Sequence, residues 1–245
     1  VSRGDLVRTK STVVAAALGC LVVGAAVASC SADGSSGDQP SAKQMLDDAN
    51  DVMNALKSVT VDGKTTTVAT GEGFSTRLTT DLKDTCSFSQ TWTNSARLEQ
   101  IRIGDVDYVR PNRAYLKMAG KSGTAKGEQK RWVKSPAKET AFESEESGLS
   151  HCTQEFGSFG KATKGDPTEV DGRRAIELVV TDKAVKEGAY TFYVATEGKP
   201  YLLKVAYKGT DYRTTTTFSD FDKPVDVRAP AKGDVLDASG IEPLT

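Results

Sequence analysis

Histidine is almost absent from this chain: of 245 residues, only His151 is one. Cysteine is scarce as well, with Cys20, Cys30, Cys86 and Cys152, and no two of them stand in a C-x-x-C pair. A zinc site built on these residue types therefore has no recognisable ligand set, and no metal is expected. A histidine general base has one candidate position. No block of one charge stands out: 32 Lys and Arg face 33 Asp and Glu, a formal charge of −1. This excludes the basic footprint that nucleic-acid binding requires. The G-x-S-x-G nucleophile elbow, a complete Walker phosphate loop and a G-x-G-x-x-G turn are missing too, which leaves no support for serine hydrolysis or nucleotide binding. Asp105 and Asp107 fit turn chemistry and lack a calcium loop around them. The acids Glu143, Glu145, Glu146 and Glu155 fit a solvated face better than paired catalytic carboxylates. With no coherent catalytic group, neither enzyme activity nor a cofactor is expected.

What is present begins with an export pattern. Arg3, Arg8 and Lys10 precede Ser11–Ser29, a stretch without any charge. A basic start followed by a short apolar run is a secretory signal. The run ends in Val27-Ala28-Ser29-Cys30, which matches the lipobox of bacterial lipoproteins: small residues fit the peptidase groove, and the Cys30 thiol accepts the diacylglycerol. Residues 1–29 are thus expected to be a signal peptide, with Cys30 lipidated and holding the chain on the outer face of the cell membrane. A single transmembrane anchor, or a secretory signal without lipid, are the alternatives. Valine at position 1 reads as a GTG start codon and points to a GC-rich bacterium. Removal of residues 1–29 takes away three bases and one acid, leaving 29 basic and 32 acidic residues, a net of −3. That balance gives no overall attraction to anionic headgroups.

Residues 30–40 are small and polar and read as a flexible tether. The remainder, 41–245, reads as one domain. Ser41 to Gln44 has the form of a helix capping box. Met45, Leu46, Ala49, Val52, Met53 and Leu56 then recur at helical spacing, with an end expected near Lys57. From Val59 the period becomes two. Phe74, Thr76, Leu78, Thr80 and Leu82 share a face, as do Cys86, Phe88, Gln90 and Trp92. Ala96–Ile103 changes phase, which implies a bulge or burial on both sides. DVDYVR and RAYLKM follow a turn at Gly104-Asp105. Residues 138–159 read as one or two short helices over the sheet, carrying Phe142, Leu149, Phe156 and Phe159. Arg174–Val180, Tyr190–Val194, Tyr201–Tyr207 and Tyr212–Phe221 are expected strands. One covered and one wet face is the mark of an antiparallel sheet.

This order of elements, with the stretches 99–109 (EQIRIGDVDYV), 193–201 (YVATEGKPY) and 218–230 (FSDFDKPVDVRAP), resembles the actinobacterial lipoproteins related to LppX and LprG, whose fold is like that of the carrier LolA. The resemblance implies an α+β fold: a curved antiparallel sheet, or half-barrel, with helices packed across its concave face. It also implies a protein that holds or carries a lipid or other apolar ligand in the envelope. A tethered adaptor with an envelope protein partner and no ligand of its own is the other reading. The alternation nominates Leu78, Phe88, Trp92, Ile176, Leu178, Phe192, Leu203 and Val205 for the face toward the helices, with Met53 and Leu56 added by the first helix. His151 and Cys152 adjoin, but neighbours in sequence point apart and make a poor nucleophile pair. After export Cys86 and Cys152 alone remain without lipid, so a disulfide between them is expected.

Overall fold

Ser41 starts the first helix as its sequence suggests. In the computed structural model its Oγ accepts the Gln44 N–H at 3.1 Å, and α1 runs over Ala42–Asn54. The side-chain cap satisfies one of the amides that a helix start leaves open. Ala42, Leu46, Ala49 and Met53 form its buried stripe. The helix stops at Asn54, earlier than expected, because the chain must turn into the sheet at Val59.

Among the described residues twelve strands follow: β1 Val59–Thr67, β2 Gly73–Thr80, β3 Thr85–Trp92, β4 Arg97–Ile103, β5 Val106–Pro111, β6 Trp132–Pro136, β7 Lys161–Val170, β8 Arg173–Thr181, β9 Gly188–Ala195, β10 Leu202–Gly209, β11 Tyr212–Ser219 and β12 Val235–Asp237. A short helix, α2 (Arg113–Met118), links β5 to β6. The structure describes residues 39–120, 131–137, 149, 151–157, 160–181 and 188–237. Those from Pro40 on belong to one compact unit. The expected signal peptide, Cys30 and most of the tether lie outside the described residues, as do Phe142, Glu143, Glu145, Glu146 and Phe159.

All strands join one sheet in the order β12-β6-β5-β4-β3-β2-β1-β11-β10-β9-β8-β7. Two meanders, β1–β6 and β7–β11, meet where β1 pairs with β11. Every pairing is antiparallel except β12 with β6. The sheet does not close on itself, and the fold is a half-barrel with α1 on its concave side. Register fixes the concave row. Val61 opposes Phe218 and Leu78, Leu78 opposes Phe88, and Phe88 opposes Gln100. Residues directly opposite share a side of the sheet, so this row crosses its middle on one face.

Several local expectations need correction. RAYLKM, which carried no assigned element, is helical: Asn112 Oδ1 accepts the Tyr115 N–H at 2.8 Å and caps α2. No bulge occurs in β4, whose register with β3 and β5 is continuous. The change of phase there arises because Gln100 and Arg102, both polar, face inward beside Leu98. The bulges sit elsewhere, between Lys164 and Pro167 in β7 and between Leu202 and Lys204 in β10. β7 had no clear sequence signal. It is an edge strand, where Pro167 is tolerated at a bulge. Residues 151–157 form no helix; they run as an irregular strap.

Candidate ligand-binding face

The concave face has two differently built halves. Over β8–β10 it is closed by α1. Met53, Leu178, Val180 and Val194 are fully buried there, and Phe192, Leu202 and Leu56 nearly so, in one cluster with Leu46 and Ala49. Burying each such side chain contributes about 1.5–3 kcal/mol.

Over β2–β4 the cover is Leu149 and the strap 151–157, held by named links. Cys86 on β3 and Cys152 on the strap are joined, with Cα atoms 5.6 Å apart. The Thr80 hydroxyl donates to the Cys152 carbonyl at 2.5 Å. The Leu149 N–H donates to Gln100 Oε1 at 2.5 Å. Asn54, at the end of α1, donates to the Phe156 carbonyl at 2.9 Å and accepts its N–H at 3.2 Å. Phe156 then packs edge-on against Phe218, ring centres 5.7 Å apart. Below the strap, Arg102 makes two bonds to Asp107, 2.6 and 2.7 Å, with both side chains largely withdrawn from water. A bidentate guanidinium–carboxylate pair satisfies two charges that could not be buried singly. His151 is exposed beside a bonded cysteine and forms no nucleophile pair with it.

Between the two covers runs a strip of half-buried apolar residues: Val61, Leu78, Phe88, Ile176, Val205 and Phe218. Toward the end of the sheet where β1 meets β2, the strip gives way to aromatics. Tyr190, Tyr207 and Tyr212 form a ladder with ring centres 4.6 and 5.0 Å apart. Across the sheet Phe74, Trp92 and Tyr115 continue it at 6.4 and 5.4 Å. Burial, then the neighbouring Tyr212 and Tyr190, raise the Tyr207 pKa above the ordinary tyrosine value, so its hydroxyl stays neutral. A groove of about 310 Å³ opens at this end beside Thr65, Gly73, Phe74 and Trp92. Another, of about 280 Å³, lies mainly on the convex side, bordered by Arg77, Ser87, Glu99, Ile101 and Trp132.

The residues nominated from the sequence divide accordingly. Met53, Leu56, Leu178 and Phe192 sit in the packed half. Leu78, Phe88, Trp92, Ile176 and Val205 are half-buried along the open strip and rim. Leu203 points the other way. The bulge after Leu202 inserts one residue, so Leu202 and Val205 face α1, whereas Leu203 joins Val170, Ala175 and Ala195 in a small convex cluster beneath Tyr201 and Phe221. Strict alternation cannot foresee this, because one extra residue reverses every side after it. Sequence reasoning also missed Asn50. It is 8% exposed on the buried side of α1, one turn before Asn54. Among the described residues, its Oδ1 is the one buried side-chain polar atom without a hydrogen-bond partner.

Compared with solved structures, the described architecture is similar to that of LprF from Mycobacterium bovis, with a TM-score of 0.51 and 15% identity over 78% of this chain and 97% of that one. The fold is that of LprF. The lipoprotein LppX from Mycobacterium tuberculosis also overlaps, at a TM-score of 0.45 and 13% identity over 75% of this chain and 96% of that one. A LolA superfamily protein from Nitrosomonas europaea follows at 0.28 and 8% identity, over 79% and 96% of the two chains. No family model and no curated protein matches the sequence. At such identity the likeness to LprF speaks for the course of the backbone, not for what either protein binds.

Proposed function

We propose that this protein is a lipoprotein of the bacterial envelope, anchored through lipid on Cys30, that holds a lipid or glycolipid on the concave face of its half-barrel. The observation that carries the reading is the strip between the two covers. Val61, Leu78, Phe88, Val205 and Phe218 form a continuous apolar row that neither α1 nor the strap packs fully. An ordinary core closes such a row, as the α1 half does. A ligand of hydrocarbon chains would complete it. On the buried side of α1, Asn50 holds an acceptor without a donor, which a hydroxyl-bearing headgroup reaching under the helix would satisfy. The proposal contains no catalytic step. The adaptor reading, with a protein partner in place of a lipid, makes no use of the strip or of Asn50.

Native mass spectrometry of the protein extracted from its own membrane tests both parts. The anchor predicts a diacylglyceryl mass on the peptide that begins at Cys30. The carrier predicts a second lipid that leaves on organic extraction. Val205→Trp sharpens the result, since Leu203 faces away and cannot serve as the probe. With an open strip, the larger side chain displaces co-purified lipid and leaves the melting temperature unchanged. With a packed core it destabilises by about 1–3 kcal/mol. A lowered melting temperature, together with no lipid in the parent protein, overturns the carrier.

A further inference from the structure

The two ends of the half-barrel differ in charge and in exposed apolar surface. At one end lie the β1–β2, β3–β4 and β10–β11 turns and helix α2. Hydrogen bonds knit them together: the Val68 N–H donates to Asp211 at 2.8 Å, Thr93 to Gly73 at 3.1 Å, and Asn112 to Arg97 at 2.8 Å. Four large apolar side chains are exposed among the described residues, and three of them are here: Val68 (45%), Met118 (44%) and Tyr212 (46%). Val68 adjoins the start of β11, and the Met118 sulfur accepts from Asn94 in the β3–β4 turn at 3.7 Å. The exposed cations Lys64, Arg113, Lys117, Lys208 and Arg213 surround them, against Glu72 and Asp211. The opposite end carries Asp81, Asp84, Asp105, Asp171, Glu197, Asp220 and Asp222 against Lys57, Lys83, Arg173, Arg174, Lys199 and Lys223, so acids and bases there nearly balance. Among the described residues, the end that exposes Val68, Met118 and Tyr212 therefore has the more positive balance.

From this asymmetry we infer that the Val68, Met118 and Tyr212 end docks on an anionic phospholipid surface. The inference rests on the lipid-anchor reading, which keeps the domain near a bilayer: Ser31–Pro40 spans about 35 Å at full stretch. Apolar side chains enter the headgroup boundary, a tyrosine ring sits at that level, and Lys and Arg stay with the phosphates. Docked this way, the aromatic rim formed by Phe74, Trp92 and Tyr207 faces the bilayer, so a lipid passing between membrane and strip need not cross open water.

The test uses the lipidated protein in vesicles, with an environment-sensitive dye on Ala69→Cys in the β1–β2 turn or on Lys83→Cys at the opposite end. In vesicles containing phosphatidylglycerol, the dye at 69 is expected to shift to the blue and to be quenched by brominated lipid. The dye at 83 should stay water-like. High salt should reduce the shift at 69, and Val68→Asp with Tyr212→Asp should abolish it. Water-like emission at 69 in every vesicle, or equal shifts at 69 and 83, overturns docking. An equal shift at 69 in pure phosphatidylcholine overturns the anionic assignment. Retention on vesicles in high salt reads the anchor separately. A protein that washes off loses the anchor reading, and its dye shift at low salt still decides the docking.

Discussion

The half of the sheet under α1 and the half under the strap reach the same end by different physics. The first is a hydrophobic core, where Met53, Leu178, Val180 and Val194 exclude water by packing alone. The second is assembled from specific links: a disulfide, four side-chain to backbone hydrogen bonds and a buried ion pair. A packed half resists opening through many small contacts. A linked half is as strong as a few bonds, and each can be removed singly.

The sharpest break in that comparison is the ion pair. Asp107→Ala takes a bidentate carboxylate from the largely buried Arg102, and should cost about 3–5 kcal/mol in chemical denaturation. A loss below about 1 kcal/mol would mean that water reaches Arg102 and that this half is not closed. Next comes a matched pair of truncations. Met53→Ala opens a cavity in the packed half and should cost about 2–5 kcal/mol. Phe88→Ala, in the half-buried strip, removes a larger side chain and should still cost less. Equal losses would erase the distinction between the halves.

The bridge follows. Cys86 and Cys152 are 66 residues apart, and linking them restricts the unfolded chain by about 2–4 kcal/mol. Cys86→Ser with Cys152→Ser should lower the midpoint accordingly. In hydrogen exchange it should expose the strap amides and leave those of β8–β10 protected. Uniform loss of protection would show one cooperative unit instead of two. The smallest effect is expected at Asp220, where the chain leaves β11. Its hydrogen bond from Lys223 lowers its pKa below the ordinary carboxylate value. A depressed carboxylate stabilises the fold above its unfolded pKa, and this is lost as the pH falls through the folded one. Both partners are exposed, so the gain is slight. Asp220→Asn should trim stability near neutral pH and flatten its decline in acid, without touching either cover. A large change would indicate a tie between the β11 exit and one of the halves.

Much of the scaffold was legible because it is set locally. Ser41 and the Leu46, Ala49, Met53 spacing define α1, since capping and a helical stripe depend on neighbours in the chain. Alternation in β2, β3, β8 and β9 assigned Leu78, Phe88, Trp92, Ile176, Leu178 and Phe192 to one face. Leu203 was misplaced because a bulge leaves no mark on a run as apolar as Tyr-Leu-Leu-Lys-Val. The inward placement of Gln100 and Arg102 had no local signal, because polarity predicts exposure until a partner is known. Their partners, Leu149 and Asp107, come from a distant strap and a neighbouring strand.

The sequence by itself determined the period of each element, the position of the caps and turns, and the export pattern that ends at Cys30, all of which are read over a few residues. Only the tertiary structure decided which strands became neighbours, that Leu203 turned away from α1, and that basic turns scattered from Lys64 to Arg213 share one end with Val68, Met118 and Tyr212. The reason is that sheet pairing acts across the chain: the contact of β1 with β11 joins residues some 150 apart, and no local pattern records it.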